Sequence, residues 1–62
     1  MTKDHNGWTI TVYALAYGTY KYLCTKPGET TVKGAIDAYD EFEAYDVVVR
    51  FVDYITPLKG RL

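Results

Sequence analysis

The sequence predicts a small α+β domain in which a three-stranded antiparallel sheet carries one helix on one face, in the order β-β-α-β. Three observations predict this fold: a pair of strand-like segments around a glycine turn, an apolar stripe with helical spacing, and a late run of β-branched residues. With 62 residues the chain forms a single domain over residues 1–62. We expect an ordered core over about residues 8–56, after a frayed polar start.

The first two strands are predicted from composition. Residues 8–17 and 19–25 are rich in Val, Ile, Thr and aromatic side chains, and Tyr17 and Gly18 form the turn of a hairpin between them. A two-residue turn there sets residue 14 opposite residue 21, which assigns the side chains to two faces. One face, which we expect under the helix, then carries Ile10, Val12, Ala14, Ala16 and Leu23. The other carries Thr11, Tyr13, Leu15, Tyr20, Tyr22 and Cys24.

The helix and the third strand follow. Thr30 or Thr31 can cap a helix, and an apolar stripe at the i, i+3, i+4, i+7 spacing indicates that this helix runs to about residue 43. The stripe consists of Val32, Ala35, Ile36 and Tyr39. Residues 47–55 are almost all β-branched or aromatic, which predicts the third strand.

Charge and cysteine content narrow the function classes. Seven basic and eight acidic residues give a net charge of −1, so binding of nucleic acid through phosphate contacts is disfavoured. No apolar run approaches the roughly 20 residues of a membrane span, and the polar start lacks the pattern of a signal peptide. One cysteine fits a reducing compartment, so we expect a cytoplasmic protein without a disulfide.

Catalytic side chains are sparse. The chain has no serine, His5 lies in the polar start, and Cys24 has no histidine in its own segment. The carboxylates near residues 37–46 fit a solvated helical face better than an acid-base pair. We therefore expect no enzymatic activity, and no metal or other cofactor, since His5 and Cys24 are the only soft ligands.

A domain this small buries a marginal core, and oligomerisation is the remedy left without a disulfide or a metal. One helix leaves one sheet face uncovered, so we predict a homodimer through that face. Its predicted interface consists of Tyr13, Leu15, Tyr20, Tyr22, Val48 and Val52. The same tyrosines could instead stack the bases of a single strand, although only Lys21 and Arg50 flank them within the strands.

The predicted helix offers a second surface. Gly34 and Ala38 fall one above the other, and a glycine in a helix costs about 1 kcal/mol relative to alanine. Either a partner approaches closely there, or the glycine is tolerated near the first turn. The partner-binding candidates form an apolar recess with an acidic rim and consist of Gly34, Asp37, Ala38, Tyr39, Asp40, Glu41 and Phe42.

Several of these pieces together resemble a known family. They are the β-β-α-β order, the glycine turn, the segments Tyr20-Lys21-Tyr22 and Gly28-Glu29-Thr30, and the segment from Asp46 to Ile55. In this combination the chain, over about residues 9–55, resembles the small uracil-DNA glycosylase inhibitors of podophages infecting Bacillus. The resemblance implies a homodimer that acts in the cytosol of a bacterial host. Its helices would hold an apolar side chain of the enzyme, while acidic groups replace DNA phosphates.

The resemblance implies a non-enzymatic protein inhibitor that occupies the DNA-binding site of a uracil-DNA glycosylase as a DNA mimic. No membrane or direct nucleic-acid partner is expected. Tyr39, Phe42 or Tyr45 would form the aromatic wall of the recess. The alternatives are a generic small protein-interaction or antitoxin-like domain, and a single-stranded nucleic-acid binder.

Overall fold

The computed structural model describes residues 1–60, with side chains described through residue 55. Over these residues four strands precede one helix: β1 (Thr2–His5), β2 (Trp8–Ala16), β3 (Thr19–Thr25), β4 (Val32–Asp37) and α1 (Glu41–Gly60). The strands form one antiparallel sheet in the order β1-β2-β3-β4. The α+β class is confirmed. The predicted three strands and the order β-β-α-β are wrong.

The predicted frayed start contributes strand β1 instead. Thr2 lies opposite Thr11 and His5 opposite Trp8, so β1 and β2 form a hairpin. Asn6 and Gly7 connect them with positive φ angles of 49° and 86°. An Asn-Gly pair favours this left-handed turn, which matches the twist of the flanking strands.

The hairpin of β2 and β3 turns at Tyr17 and Gly18 as predicted, but its register differs. Ala16 lies opposite Thr19, whereas Ala14 lies opposite Tyr20 because the register shifts between Ala14 and Ala16. Such a bulge adds one residue to β2, and a shift of one residue moves every following side chain to the other face. Tyr20, Tyr22 and Cys24 therefore share the face of Ile10 and Val12, while Leu23 lies on the outer face.

The segments predicted as helix and third strand exchange roles. Residues 32–37 pair with β3, with Gly34 opposite Tyr22 and Ile36 opposite Tyr20. Residues 47–55 lie within α1, whose buried positions Ala44, Val48 and Val52 follow helical spacing. Burial of this stripe outweighs the modest helix propensities of the β-branched residues, which cost a few tenths of a kcal/mol each.

The core lies between α1 and the sheet face that carries Ile10 and Val12. Its buried side chains are Trp8, Ile10, Val12, Cys24, Ala44, Val48 and Val52. The helix packs on β2 and to a lesser extent on β3. A four-stranded sheet spans roughly 14 Å between its outer strands, whereas a helix is about 10 Å across, so the β4 side is only partly covered.

Candidate functional site

The start of α1 carries a hydrogen-bonded acidic turn. The Asp40 Oδ1 accepts the Glu43 backbone N–H at 2.8 Å, and the Glu43 Oε1 accepts the Tyr39 backbone N–H at 3.2 Å. Asp40 is thus the N-cap, and Glu43 reaches back one residue further than in a capping box, to the residue before the cap. Negative charge at this end is also favoured by the helix dipole. Local helix chemistry accounts for the position of both carboxylates.

The turn between β2 and β3 lies directly beside this loop. The Ala38 N–H donates to the Gly18 carbonyl at 3.0 Å, and the Thr19 hydroxyl donates to Asp37 Oδ1 at 3.2 Å. Gly18 has a φ of 80°, a left-handed conformation that glycine adopts without strain. Between the two connections lies an open cavity of about 280 Å³, lined by Gly18, Asp37, Ala38, Tyr39 and Glu43.

Three aromatic side chains project from the same end of the molecule. Tyr17 is fully exposed, Tyr39 is 93% exposed and Phe42 is 67% exposed. Glu41 lies 3.8 Å from the amino group of Met1. We call this surface the acidic-aromatic end; it consists of Tyr17, Asp37, Tyr39, Asp40, Glu41, Phe42 and Glu43.

The predicted partner-binding residues separate into two places. Residues 37–42 lie at the acidic-aromatic end, as the last residue of β4, the loop and the first helical turn. They are therefore not on one face of a helix as predicted. Gly34 lies in β4 beneath the Tyr22 ring, away from this end. Tyr45 packs against the core, with the Lys3 ammonium 5.6 Å from its ring centroid.

The predicted dimer residues do not form one surface. Tyr13 and Leu15 are exposed on β2, whereas Tyr20 and Tyr22 are half-buried on the face under the helix. Val48 and Val52 are buried against the sheet, because their segment is a helix and not a strand. The bulge in β2 and the helical segment together explain why these six residues do not share one sheet face as predicted.

A groove that the sequence did not indicate runs between α1 and β4. It has a volume of about 160 Å³ and is lined by Tyr22, Ile36, Val47, Val48 and Phe51. The Tyr22 and Phe51 rings are 6.4 Å apart at an angle of 58°. Val47, Phe51 and Tyr54 follow at helical spacing and are all partly exposed, a signal that becomes visible only once residues 47–55 are treated as helix.

The outer sheet face is a third surface. Tyr13 and Leu23 are exposed there, and Lys21 lies opposite both Tyr13 and Ala35. A shallow cavity of about 350 Å³ is lined by Tyr13, Lys21, Tyr22, Leu23, Lys33 and Gly34. Lys33 lies in a strand and therefore adds a second cation that the predicted fold had assigned to a helix.

His5 and Asp53 form a hydrogen-bonded pair of acid-base side chains. The His5 Nε2 donates to Asp53 Oδ1 at 2.8 Å, and the Asn6 amide donates to the same oxygen at 3.1 Å. The hydrogen bond from His5 is the main reason that the pKa of Asp53 lies below its usual value. Cys24 lies elsewhere in the core, where burial raises the pKa of its thiol. This pair therefore has no thiol beside it and links the end of β1 to α1.

Within the described residues, no group of three or more His, Cys, Asp and Glu side chains is arranged to hold a metal ion. None of the helices in this part of the chain has the length and apolar character needed to cross a bilayer. Comparison of the chain with protein-family models, curated proteins and solved structures finds no match.

Proposed function

We propose that this protein is a non-enzymatic inhibitor that binds a basic, DNA-binding surface of a target protein through its acidic-aromatic end. The observation that carries the proposal is the exposure of Tyr17, Tyr39 and Phe42 beside a cavity with carboxylates at its rim. Exposed apolar patches of this kind mark protein-binding surfaces. Aromatic side chains also supply much of the binding free energy at interfaces.

Charge supports a basic target. Residues 37–43 contain four carboxylates and no Lys or Arg. The hydrogen bonds at Asp40 and Glu43 each engage one carboxylate oxygen, which leaves the second oxygen and the negative charge for a partner. Such a surface complements a DNA-binding groove, where acids stand in the place of phosphates and the cavity receives an apolar side chain.

A uracil-DNA glycosylase is the first target to test, because the sequence resembles inhibitors of that enzyme. The purified chain is titrated into a bacterial uracil-DNA glycosylase, and excision from a uracil-containing oligonucleotide is followed. We expect excision to fall in proportion to the amount of chain added. Added salt should slow the association, since steering by opposite charges is screened.

Two tyrosine variants test whether the acidic-aromatic end is the site. Tyr39→Ala should weaken inhibition at least ten-fold. Removing an aromatic anchor from an interface lowers the binding free energy by about 1–2 kcal/mol or more. Tyr54→Ala is the matched control, because Tyr54 is 69% exposed on α1 but lies roughly 18 Å further along it than Phe42. Circular dichroism establishes that both variants fold. Equal inhibition by the two variants would move the site away from this end.

Undiminished excision at a several-fold excess of the chain over the glycosylases tried would contradict the inhibitor proposal. The generic protein-interaction or antitoxin-like domain would then be the better description. Its partner can be sought by capture from a bacterial lysate, with the Tyr39→Ala and Tyr54→Ala chains as paired baits. Loss of a captured protein with the first bait alone would assign the same surface to another partner.

Single-stranded nucleic-acid binding is a second candidate function, favoured by the outer sheet face. Tyr13 offers a ring for stacking, and Lys21 and Lys33 line the same cavity as potential phosphate contacts. A labelled single-stranded oligonucleotide tests this function by fluorescence anisotropy. Binding that Tyr13→Ala abolishes would favour this candidate, whereas an unchanged anisotropy at low salt would eliminate it.

A further inference from the structure

Strand β4 is an open edge of the sheet. Among the described residues it pairs only with β3, so every second residue along β4 points its backbone N–H and C=O away from the sheet. The opposite edge, β1, carries Lys3, Asp4 and His5 within four residues, and such charges discourage pairing with another strand. The middle of β4 is Gly34, Ala35 and Ile36, which carry no charge.

We propose that a second copy of this chain binds this edge, with β4 antiparallel to β4 around a two-fold axis. The two sheets would then join into one sheet of eight strands. This interface differs from the face-to-face dimer expected from the sequence, and it goes beyond the proposed function because it does not depend on which protein the acidic-aromatic end binds. In a two-fold interface the same surface serves both copies, so it must complement itself.

The residues of β4 complement themselves in one register. Directly opposite residues of antiparallel strands share a face, which restricts the pairings available to two copies. When Ala35 lies opposite Ala35 on the axis, Lys33 lies opposite Asp37 of the second copy, and both are on the outer face. An axis at Lys33 or Asp37 would instead set like charges opposite each other, and an axis at Gly34 would pair Lys33 with Ala35.

The contacts within one copy leave this pairing open. Lys33 and Asp37 are exposed, and the bond from the Thr19 hydroxyl uses one of the two Asp37 carboxylate oxygens. On the other face Val32 and Ile36 are half-buried at the sheet edge. A neighbouring strand would cover both side chains. The dimer would therefore be stabilised by apolar burial on this face as well as by the two cross-strand ion pairs on the outer face.

Charge reversal tests the register. Lys33→Asp and Asp37→Lys each turn two opposite-charge pairs into like-charge pairs, and we expect each to weaken self-association about ten-fold. The double variant restores both attractions and should return the association to within about three-fold of the starting chain. Sedimentation equilibrium over a concentration series measures the association. Lys21→Asp is the matched control, since it makes the same charge change on the outer face of an interior strand.

Cross-linking supplies a second measurement. Residues opposite each other on paired strands have Cα atoms about 4.5–5.5 Å apart, which suits a disulfide. Ala35→Cys should therefore form a covalent dimer under mild oxidation, while Thr11→Cys on the outer face of β2 should not. A chain that stays monomeric throughout the concentration series would overturn the proposal. So would a dimer that ignores both charge reversals and fails to cross-link at position 35.

Discussion

The Tyr22 side chain lies over Gly34 on the neighbouring strand, so closely that a Cβ atom at position 34 would be 2.6 Å from the tyrosine oxygen and 2.9 Å from Cζ. The sequence had raised the question of why a glycine stands there, and the fold answers it within one chain. Gly34 is a strand residue, and the ring that covers it belongs to its cross-strand partner. On the helix side the Tyr22 ring contacts the Phe51 ring, which restricts its movement away from Gly34.

Gly34→Ala should therefore destabilise the protein. The added methyl group must displace the Tyr22 ring toward Phe51, and overpacking of this kind costs about 1–3 kcal/mol in the free energy of unfolding. In a Tyr22→Leu background the obstructing atoms are gone, and the same change should cost less than about 0.5 kcal/mol. Urea denaturation of the four chains in this double-mutant cycle provides the measurement. An equal loss in both backgrounds would show that the ring is not the obstacle.

Asp40→Ala should remove the N-cap of α1. The Glu43 N–H then loses its acceptor, and we expect the free energy of unfolding to fall by about 1 kcal/mol. Asp40→Asn keeps an acceptor oxygen at this position, so it should keep most of the stability that Asp40→Ala loses. Asp46→Ala is the control with the same change of charge. Its partner is the exposed Arg50 one turn along, at 2.7 Å, and such pairs contribute about 0.5 kcal/mol or less. Thermal unfolding measures the stability of both variants. A lower stability for Asp46→Ala than for Asp40→Ala would contradict this assignment.

Asp53 should make stability depend on pH in the acid range. The hydrogen bond from His5 is the largest cause of its lowered pKa, and a carboxyl whose pKa is depressed in the folded state stabilises that state only while ionised. This stabilisation is present above the unfolded pKa of about 4 and is lost as the pH falls through the lower folded value. Asp53→Asn should flatten that part of a plot of unfolding free energy against pH. A slope identical to that of the unaltered chain would rule out this contribution.

Cys24 should react only when the protein opens. Its side chain is fully buried and burial raises the pKa of the thiol, so both access and thiolate formation are suppressed in the folded state. We expect labelling by a thiol reagent to be slow in buffer and to accelerate with urea in step with unfolding. A Thr11→Cys chain provides a partly exposed thiol for comparison. Rapid labelling of the native thiol in buffer would contradict the described packing.

Some features follow from short-range sequence signals. The turn at Tyr17 and Gly18 is correct because a glycine between two strand-like segments determines the connection locally. The carboxylates from Asp37 to Glu43 lie together for a similar reason, since seven consecutive residues remain neighbours in any fold. These local signals were sufficient to predict most residues of the candidate site, but they did not predict its secondary structure.

Other features depend on which surfaces meet. In residues 32–37 the apolar side chains fit both periods: Val32, Ala35 and Ile36 suit a helix, and Val32, Gly34 and Ile36 suit a strand. This segment is a strand because it pairs with β3, where the Tyr22 ring lies over Gly34. Residues 47–55 have the composition of a strand, yet Val48 and Val52 are fully buried only as part of a helix against β2.

The sequence by itself determined an α+β composition, one hairpin turn and a local concentration of acid and aromatic groups, because each depends on neighbours in the chain. Tertiary structure alone decided that residues 32–37 form a strand and residues 47–55 a helix, together with the register after the bulge in β2, the open edge at β4 and the groove beside α1. The physical reason is that intrinsic propensities differ by only a few tenths of a kcal/mol per residue, whereas burying one large apolar side chain contributes about 1.5–3 kcal/mol. Packing therefore overrides local preference wherever a segment fits two secondary structures.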